Sequence, residues 1–426
     1  MNKFDTPEYK RSRAAYATQC TIEYFISLLI TDAFLAKLLS SIGISDALIG
    51  IISSFVSMAF IIQLMSLFLV NSRLGAKRLV MTFDTLSNIF YMVIYLIPFF
   101  PCGKTLKTVL VIISILVAYT CKYLISSIHY KWSNSNVEPT KRASYSAVKE
   151  SISLISGIVF TAVIGYIMDK FEGLGNLSGA FLFISVSILI LNICNFISLL
   201  LIRKEDASEA ENGVSVKDSI KYILTNKSFK NVILLSILWD SARYFSIGFM
   251  GILKTKDLAY SMFAVQIINM AGNLSRLAIS VPFGKYSDKR SYARGFNLAM
   301  CIAALAFFVN MFTTRSTRFL IIIYTILFSC SLAGTNQNAF NIAYSYVDQK
   351  YVVQAMAIKN SIAGICGFIA SLLGGKLLSA IQAGGNMIFG IPVLGQQVLS
   401  AISLVITVAA IIFTRTVIEK QKVSIQ

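Results

Sequence analysis

Two stretches decide the fold: AVKESISLISGIVFTAVIG over Ala147–Gly165 and AIKNSIAGICGFIASLLGG over Ala357–Gly375. Laid on one another at an offset of 210, they superpose Ala147 on Ala357, Lys149 on Lys359, Ser151 on Ser361, Ile152 on Ile362, Gly157 on Gly367 and Gly165 on Gly375. Upstream, Ser135/Ser345, Val137/Val347 and Glu138/Asp348 keep the same register. Each stretch is apolar and close to the length, about twenty residues, that a helix needs to cross a bilayer. A unit near half the size of the chain therefore occurs twice.

Working outward, twelve apolar runs are found at about 14–38, 46–70, 79–100, 108–130, 145–168, 179–202, 231–253, 258–283, 295–312, 319–343, 357–381 and 393–414. Only 14% of the 426 residues are charged and 56% are hydrophobic, which excludes a soluble enzyme, a nucleic-acid binder and a disordered chain. The fold class expected is an all-α integral membrane protein with twelve transmembrane helices in two pseudo-symmetric six-helix bundles. Arg203–Lys230 is the long polar segment between runs six and seven, so residues 1–202 and 231–426 form the bundles and 203–230 a cytoplasmic linker.

The +18 formal charge is a topology signal. With the N-terminus inside, 24 of the 38 Lys and Arg residues lie in cytoplasmic segments and 7 in outer loops. A multi-pass protein of the cell membrane with both termini cytoplasmic is expected, attracted to anionic lipid and with no role for nucleic acid. The seven cysteines stand singly, which implies neither a disulfide frame nor a zinc site, and the polar start Met1–Arg13 is not a cleaved signal peptide. No cofactor is expected, since no nucleotide-binding pattern occurs, and the lone His129 does not suit a metal.

A second correspondence joins the loops after runs two and eight. RLGAKR from Arg73 and DKRSYAR from Asp288 place Arg73 over Lys289 and Arg78 over Arg294. The second loop carries Gly284, Asp288, Lys289 and Arg294, with Ser291 at the position of a second glycine; the first carries Arg73, Gly75, Lys77 and Arg78, with Phe68 and Ser72 where glycine and aspartate would stand. These paired loops resemble the G-x-x-x-D-[RK]-x-G-x-[RK]-[RK] motif of the major facilitator superfamily, and Trp132–Tyr145 resembles that family's passage from helix four into helix five. The resemblance covers nearly the whole chain. It implies rocker-switch alternating access, and a gating latch at Arg73, Lys77, Arg78, Gly284, Asp288, Lys289 and Arg294. The proline-containing glycine motif of many drug antiporters is absent from run five.

An ionisable group at membrane depth is costly and is a functional candidate by default. Glu23 continues the polar stripe Tyr16, Gln19, Glu23, Ser27, whereas Asp32, nine residues on, falls on the opposite face of a straight helix. Glu23 reads either as a proton-coupling or substrate-contacting carboxylate or as half of a structural ion pair. Tyr119, Lys122, Ser126 and His129 form one polar face of run four; Lys122 suits an anionic group or serves as counter-ion to Glu23. Asp240 and Arg243 lie three residues apart, as an intrahelical pair or a coupling and binding pair. Gln266, Asn269, Asn273, Arg276 and Ser280 form a four-turn stripe that lines a cavity or bonds other helices. The run Gly334-Thr-Asn-Gln-Asn338 is expected to open its helix locally and offer Gln337 and Asn338 to a substrate. Lys149 and Lys359, related by the repeat, suggest an inner gate or an anion path, or snorkel to the headgroups.

Two six-helix repeats of like orientation are a transporter architecture. The expected function is secondary active transport of a small polar or anionic solute, cation coupled with the proton as the ion carried by Glu23 or Asp240, by a monomer in contact with membrane lipid. The competing readings are export of a hydrophobic drug or lipid and a receptor that binds without transport. An enzyme is not expected, because no Ser/His, paired-Asp or metal constellation is present.

Overall fold

The computed structural model describes residues 4, 6–69, 75–138, 142–204, 221, 223, 225–348, 351–388 and 390–421. Helices α1 (Pro7–Leu29), α2 (Asp32–Ser41), α3 (Asp46–Ser53), α4 (Phe55–Leu69), α5 (Ala76–Leu96), α6 (Lys104–Asn134), α7 (Arg142–Gly173) and α8 (Leu177–Leu201) come first. They are followed by α9 (Lys227–Tyr244), α10 (Met262–Lys289), α11 (Tyr292–Asn310), α12 (Leu320–Tyr344), α13 (Val352–Ala383) and α14 (Gly395–Thr416). A short β-hairpin, β1 (Met387–Ile388) with β2 (Ile391–Pro392), joins α13 to α14.

These elements make twelve spans, because α1 with α2 forms the first and α3 with α4 the second. Ten helical stretches among the described residues are apolar and long enough to cross a membrane on those grounds alone. The first and eighth spans are not among them, and both carry the polar stripes read from the sequence, around Glu23 and from Gln266 to Ser280. A polar face lowers mean hydropathy without shortening the helix.

The first span is not the straight helix expected. It breaks after Leu29, and Asp32 takes a φ of 48°, in the left-handed region that non-glycine residues seldom enter. The break removes helical donors from nearby carbonyls, and the buried Tyr95 hydroxyl donates to Leu29 O at 2.5 Å. Asp32 and Glu23 therefore do not lie on opposite faces of one straight helix, as expected from the sequence, but on two helices separated by the break. Elsewhere side-chain oxygens of Asn176, Asn226, Ser261 and Ser291 accept from backbone N–H groups and cap α8, α9, α10 and α11.

The chain forms two compact units, one of Met1–Ile44 with Ile62–Gly213 and one of Ser45–Ile61 with Val214–Gln426. In the first, the helices pack in the series α6, α5, α8, α1, α7, which is spans 4, 3, 6, 1 and 5. In the second the series is α12, α11, α14, α9, α13, which is spans 10, 9, 12, 7 and 11, with α10 against α12 and α11. Adding six to each span of the first series gives the second. The repeat quoted from Ala147 and Ala357 is thus a repeat of packing order.

Each unit has its own apolar core. Trp132, Val80, Ile125, Leu199 and Ile202 centre one, and Trp132 Nε1 donates to Arg203 O at 3.1 Å. Phe249, Leu378 and Leu399 centre a cluster in the other. There α3 lies against α13 and against the turn Ile247–Phe249. Glycine permits this approach, since a Cβ on Gly50 would stand 2.1 Å from the Phe249 ring and one on Gly248 would stand 2.5 Å from Gly50 O.

Candidate functional site

In the first unit, α1, α5, α6 and α8 bring polar side chains together. Lys122 of α6 forms an ion pair with Glu23 of α1 and donates to Asp84 Oδ1 of α5 at 2.8 Å. Asp84 is 0% exposed, and its Oδ2 accepts from Asn195 Nδ2 of α8 at 2.6 Å. Asn88, one turn beyond Asp84, donates to Glu23 Oε1 at 3.3 Å and to Asn192 Oδ1 at 3.2 Å. Asn192 Nδ2 in turn reaches Thr85 O at 3.4 Å. Charges so placed are tolerable only because each meets an opposite charge or a hydrogen-bond dipole.

Lys122 is the counter-ion of Glu23, one of the two roles expected of it from the sequence, whereas Asp84, Asn88, Asn192 and Asn195 are additions not placed in the site from the sequence. Their signal was present: Asp84 and Asn88 at i, i+4 on one helix, and Asn192 and Asn195 at i, i+3 inside an apolar run. Tyr119 lies beside this cluster, its ring edge-on to Tyr91 at 5.9 Å.

In the second unit, Arg243 donates to Asp240 Oδ1 at 2.9 Å and lies over the Tyr244 ring at 4.5 Å. The buried Lys359 of α13 interacts electrostatically with both Asp240 and Arg243. Its repeat partner Lys149 rests instead on Tyr16, 3.3 Å from the hydroxyl and 4.5 Å from the ring centre. Each lysine thus faces the first span of its own repeat, a tyrosine in one unit and an ion pair in the other. Arg243 pairs directly with Asp240, and Lys359 lies within electrostatic reach of both.

Along α10, Gln266 is buried and Asn269 Oδ1 accepts from Lys254 Nζ at 2.9 Å, while Asn273 and Arg276 are half-buried. Lys254, missed in the sequence, comes from a π-helical turn, Leu253–Asp257, that prolongs the seventh span. The next lysine on that turn, Lys256, meets Asp46 Oδ2 at 2.7 Å, and Gln382 donates to the same oxygen at 2.8 Å.

The expected opening at Gly334 does not occur, because α12 runs unbroken from Leu320 to Tyr344. Asn338 is buried and donates back to Gly334 O at 2.8 Å, and a Cβ on Gly295 would stand within 3 Å of it; Gln337 is exposed. Asn338 serves the close approach of α11 and α12, where its amide fills the space a glycine leaves.

The family model of the Major Facilitator Superfamily matches residues 20–371. The chain belongs to that superfamily. Its solved members share the fold at low identity. The nucleoside transporter NupG superposes with a TM-score of 0.68 at 12% identity, covering 98% of this chain and 100% of its own. A D-xylose–proton symporter gives 0.68 at 11%, covering 93% and 96%. A bacterial homologue of the iron transporter ferroportin, in an inward-facing state, gives 0.67 at 11%, covering 97% and 99%. No curated protein sequence matches the chain.

Within this superfamily fold the loop-motif residues can be located. Lys77 donates to Leu200 O at 2.7 Å and Ile202 O at 2.5 Å, closing the C-terminal end of α8. Arg294 Nε lies 3.5 Å from Glu419, and Asp288 and Lys289 are exposed at the end of α10. Among the described residues the nearest atom to a Cβ built on Gly284 is Gln337 Oε1, at 3.9 Å. Arg78 lies in the first turn of α5, whereas Arg73 and Ser72 fall outside the described residues.

Proposed function

We propose that this multi-pass membrane protein is a secondary active transporter that moves a small polar or anionic solute by alternating access, driven by a cation gradient. The halves are taken as 1–202 and 231–426 with 203–230 between them, both termini cytoplasmic, in a monomer at the cell membrane. One observation carries the reading: each unit holds a group of half-buried charges from different spans around one buried member, Asp84 in the first and Lys359 in the second. Such groups cost several kcal/mol at membrane depth even on the lenient insertion scale, of order 3 kcal/mol per charge. A chain that needed only a fold would be served as well by apolar packing.

The roles follow from the charge balance. Glu23 and Asp240 are the carboxylates that carry the coupling ion, with the proton as the first ion to test. Lys122, Arg243 and Arg276 are the cations for an anionic solute group, assisted by Tyr119, Asn269 and Asn273. Lys359 joins the second group, where cations exceed carboxylates. Gln337 and Asn338 leave this set on the geometry of α12. The loop residues Lys77, Arg78, Gly284, Asp288, Lys289 and Arg294, with Lys149, are assigned to gating.

Fold likeness at 11–12% identity carries no substrate, so nucleosides and pentoses enter only as the first compounds to test, followed by organic acids. The experiment is uptake into proteoliposomes under an imposed pH gradient. Glu23→Gln and Asp240→Asn are expected to abolish the pH dependence of uptake; unchanged dependence in both would refute the coupling assignment. Uptake confined to amphipathic drugs or lipids would replace it with the export reading.

A further inference from the structure

The first-unit cluster holds two carboxylates, Glu23 and Asp84, around one ammonium, Lys122. It is short of one positive charge. Among the described residues, three buried oxygens here have no hydrogen-bond partner: Thr85 Oγ1, Asn88 Oδ1 and Asn195 Oδ1. Asn88 and Asn195 are 1% and 0% exposed. Their amide orientations are set by their nitrogens, which donate to Glu23, Asn192 and Asp84, so in each case the oxygen is the atom left over. Buried polar atoms without partners are rare in native structures, and a bound ion is one of the standard reasons for them.

The two shortages have one remedy. We propose that this cluster is a binding site for a desolvated monovalent cation, Na⁺, with Glu23 and Asp84 supplying charge and Thr85, Asn88 and Asn195 supplying neutral oxygens. A single charge makes the group neutral, whereas a divalent ion would leave a buried excess. The donors are all oxygen, the set that hard cations prefer and soft metals do not. Among the described residues no three His, Cys, Asp or Glu side chains gather as a transition-metal site. A proton would also balance the charge, but the hydroxyl it creates donates one hydrogen bond and leaves two of the three oxygens unmet. A cation of radius near 1 Å accepts several oxygens at once.

The inference rests on the cation-coupled reading and changes its ion at the first unit from the proton to Na⁺. The direct test is ²²Na⁺ binding to the detergent-purified full chain in choline buffer. Saturable binding is expected, displaced by excess NaCl and not by KCl. Asn195→Leu and Asp84→Asn should each weaken it tenfold or more, and Asn297→Ala, in the other unit, should leave it unchanged. Should the substituted proteins fail to fold, the melting temperature of the wild-type chain decides. It should rise saturably in NaCl and not in KCl or choline chloride at equal ionic strength. No saturable ²²Na⁺ binding, with equal melting temperatures in the three salts, would overturn the site. Proton-driven uptake that is undiminished in sodium-free buffer would also overturn it while leaving the transporter reading intact. Absence of uptake under every gradient would strike the transporter reading and leave the binding result standing.

Discussion

Lys122 donates to Asp84 Oδ1 at 2.8 Å from the neighbouring helix, and the ammonium that makes this bond also pairs with Glu23. Three helices of one unit are therefore joined through a single side chain.

Lys122→Ala leaves Glu23 and Asp84 facing each other with no cation. Breaking a buried pair by removing one partner costs about 3–5 kcal/mol, because the survivor is left uncompensated. The melting temperature of the purified protein should fall by many degrees, and adding Glu23→Gln should restore part of the loss. A Lys122→Ala protein as stable as the wild type would show that the cluster is solvated.

Asp46 offers the contrast. Its carboxylate accepts from Lys256 and Gln382, but the Lys256 side chain is 59% exposed. Water and salt screen such a pair, so Asp46→Asn should cost about 1 kcal/mol or less. The same melting assay should separate the two substitutions clearly.

Gly50 tests the packing of α3. A methyl group there would meet the Phe249 ring, itself fully buried. Gly50→Ala should destabilise by about 1–3 kcal/mol as an overpacked site. Gly50→Ala combined with Phe249→Leu should recover stability relative to the single change, which a purely conformational effect of alanine would not do.

The two repeat-related lysines should differ in function. Lys359 stands with Asp240 and Arg243, whereas Lys149 rests on Tyr16. Lys359→Gln is expected to lower uptake of an anionic solute at least tenfold and Lys149→Gln much less. Equal effects, measured as initial rates in vesicles, would remove Lys359 from the solute site.

The repeat was legible because Lys149, Gly157 and Gly165 recur with their spacing intact, and spacing is what one sequence preserves. Glu23 and Lys122 were legible because an acid and a base alone in apolar runs each need a partner. Asp84 and Asn195 were read less well, since their pairing depends on the register of two helices packed together, which no single helix encodes. The break at Leu29 was hidden because Ile30, Thr31 and Asp32 include neither glycine nor proline. Gly334 misled in the other direction: its role is to admit Phe283 and Ala299, whose atoms lie within 3 Å of a built Cβ, rather than to open α12.

Vectorial transport is read as accumulation of a radiolabelled solute in proteoliposomes containing only this chain, under imposed proton or sodium gradients. Accumulation above the external concentration is expected, with collapse when the driving gradient is dissipated by an ionophore and loss in Glu23→Gln. Saturable binding with no accumulation under either gradient would contradict it and identify the chain as a receptor on a transporter fold.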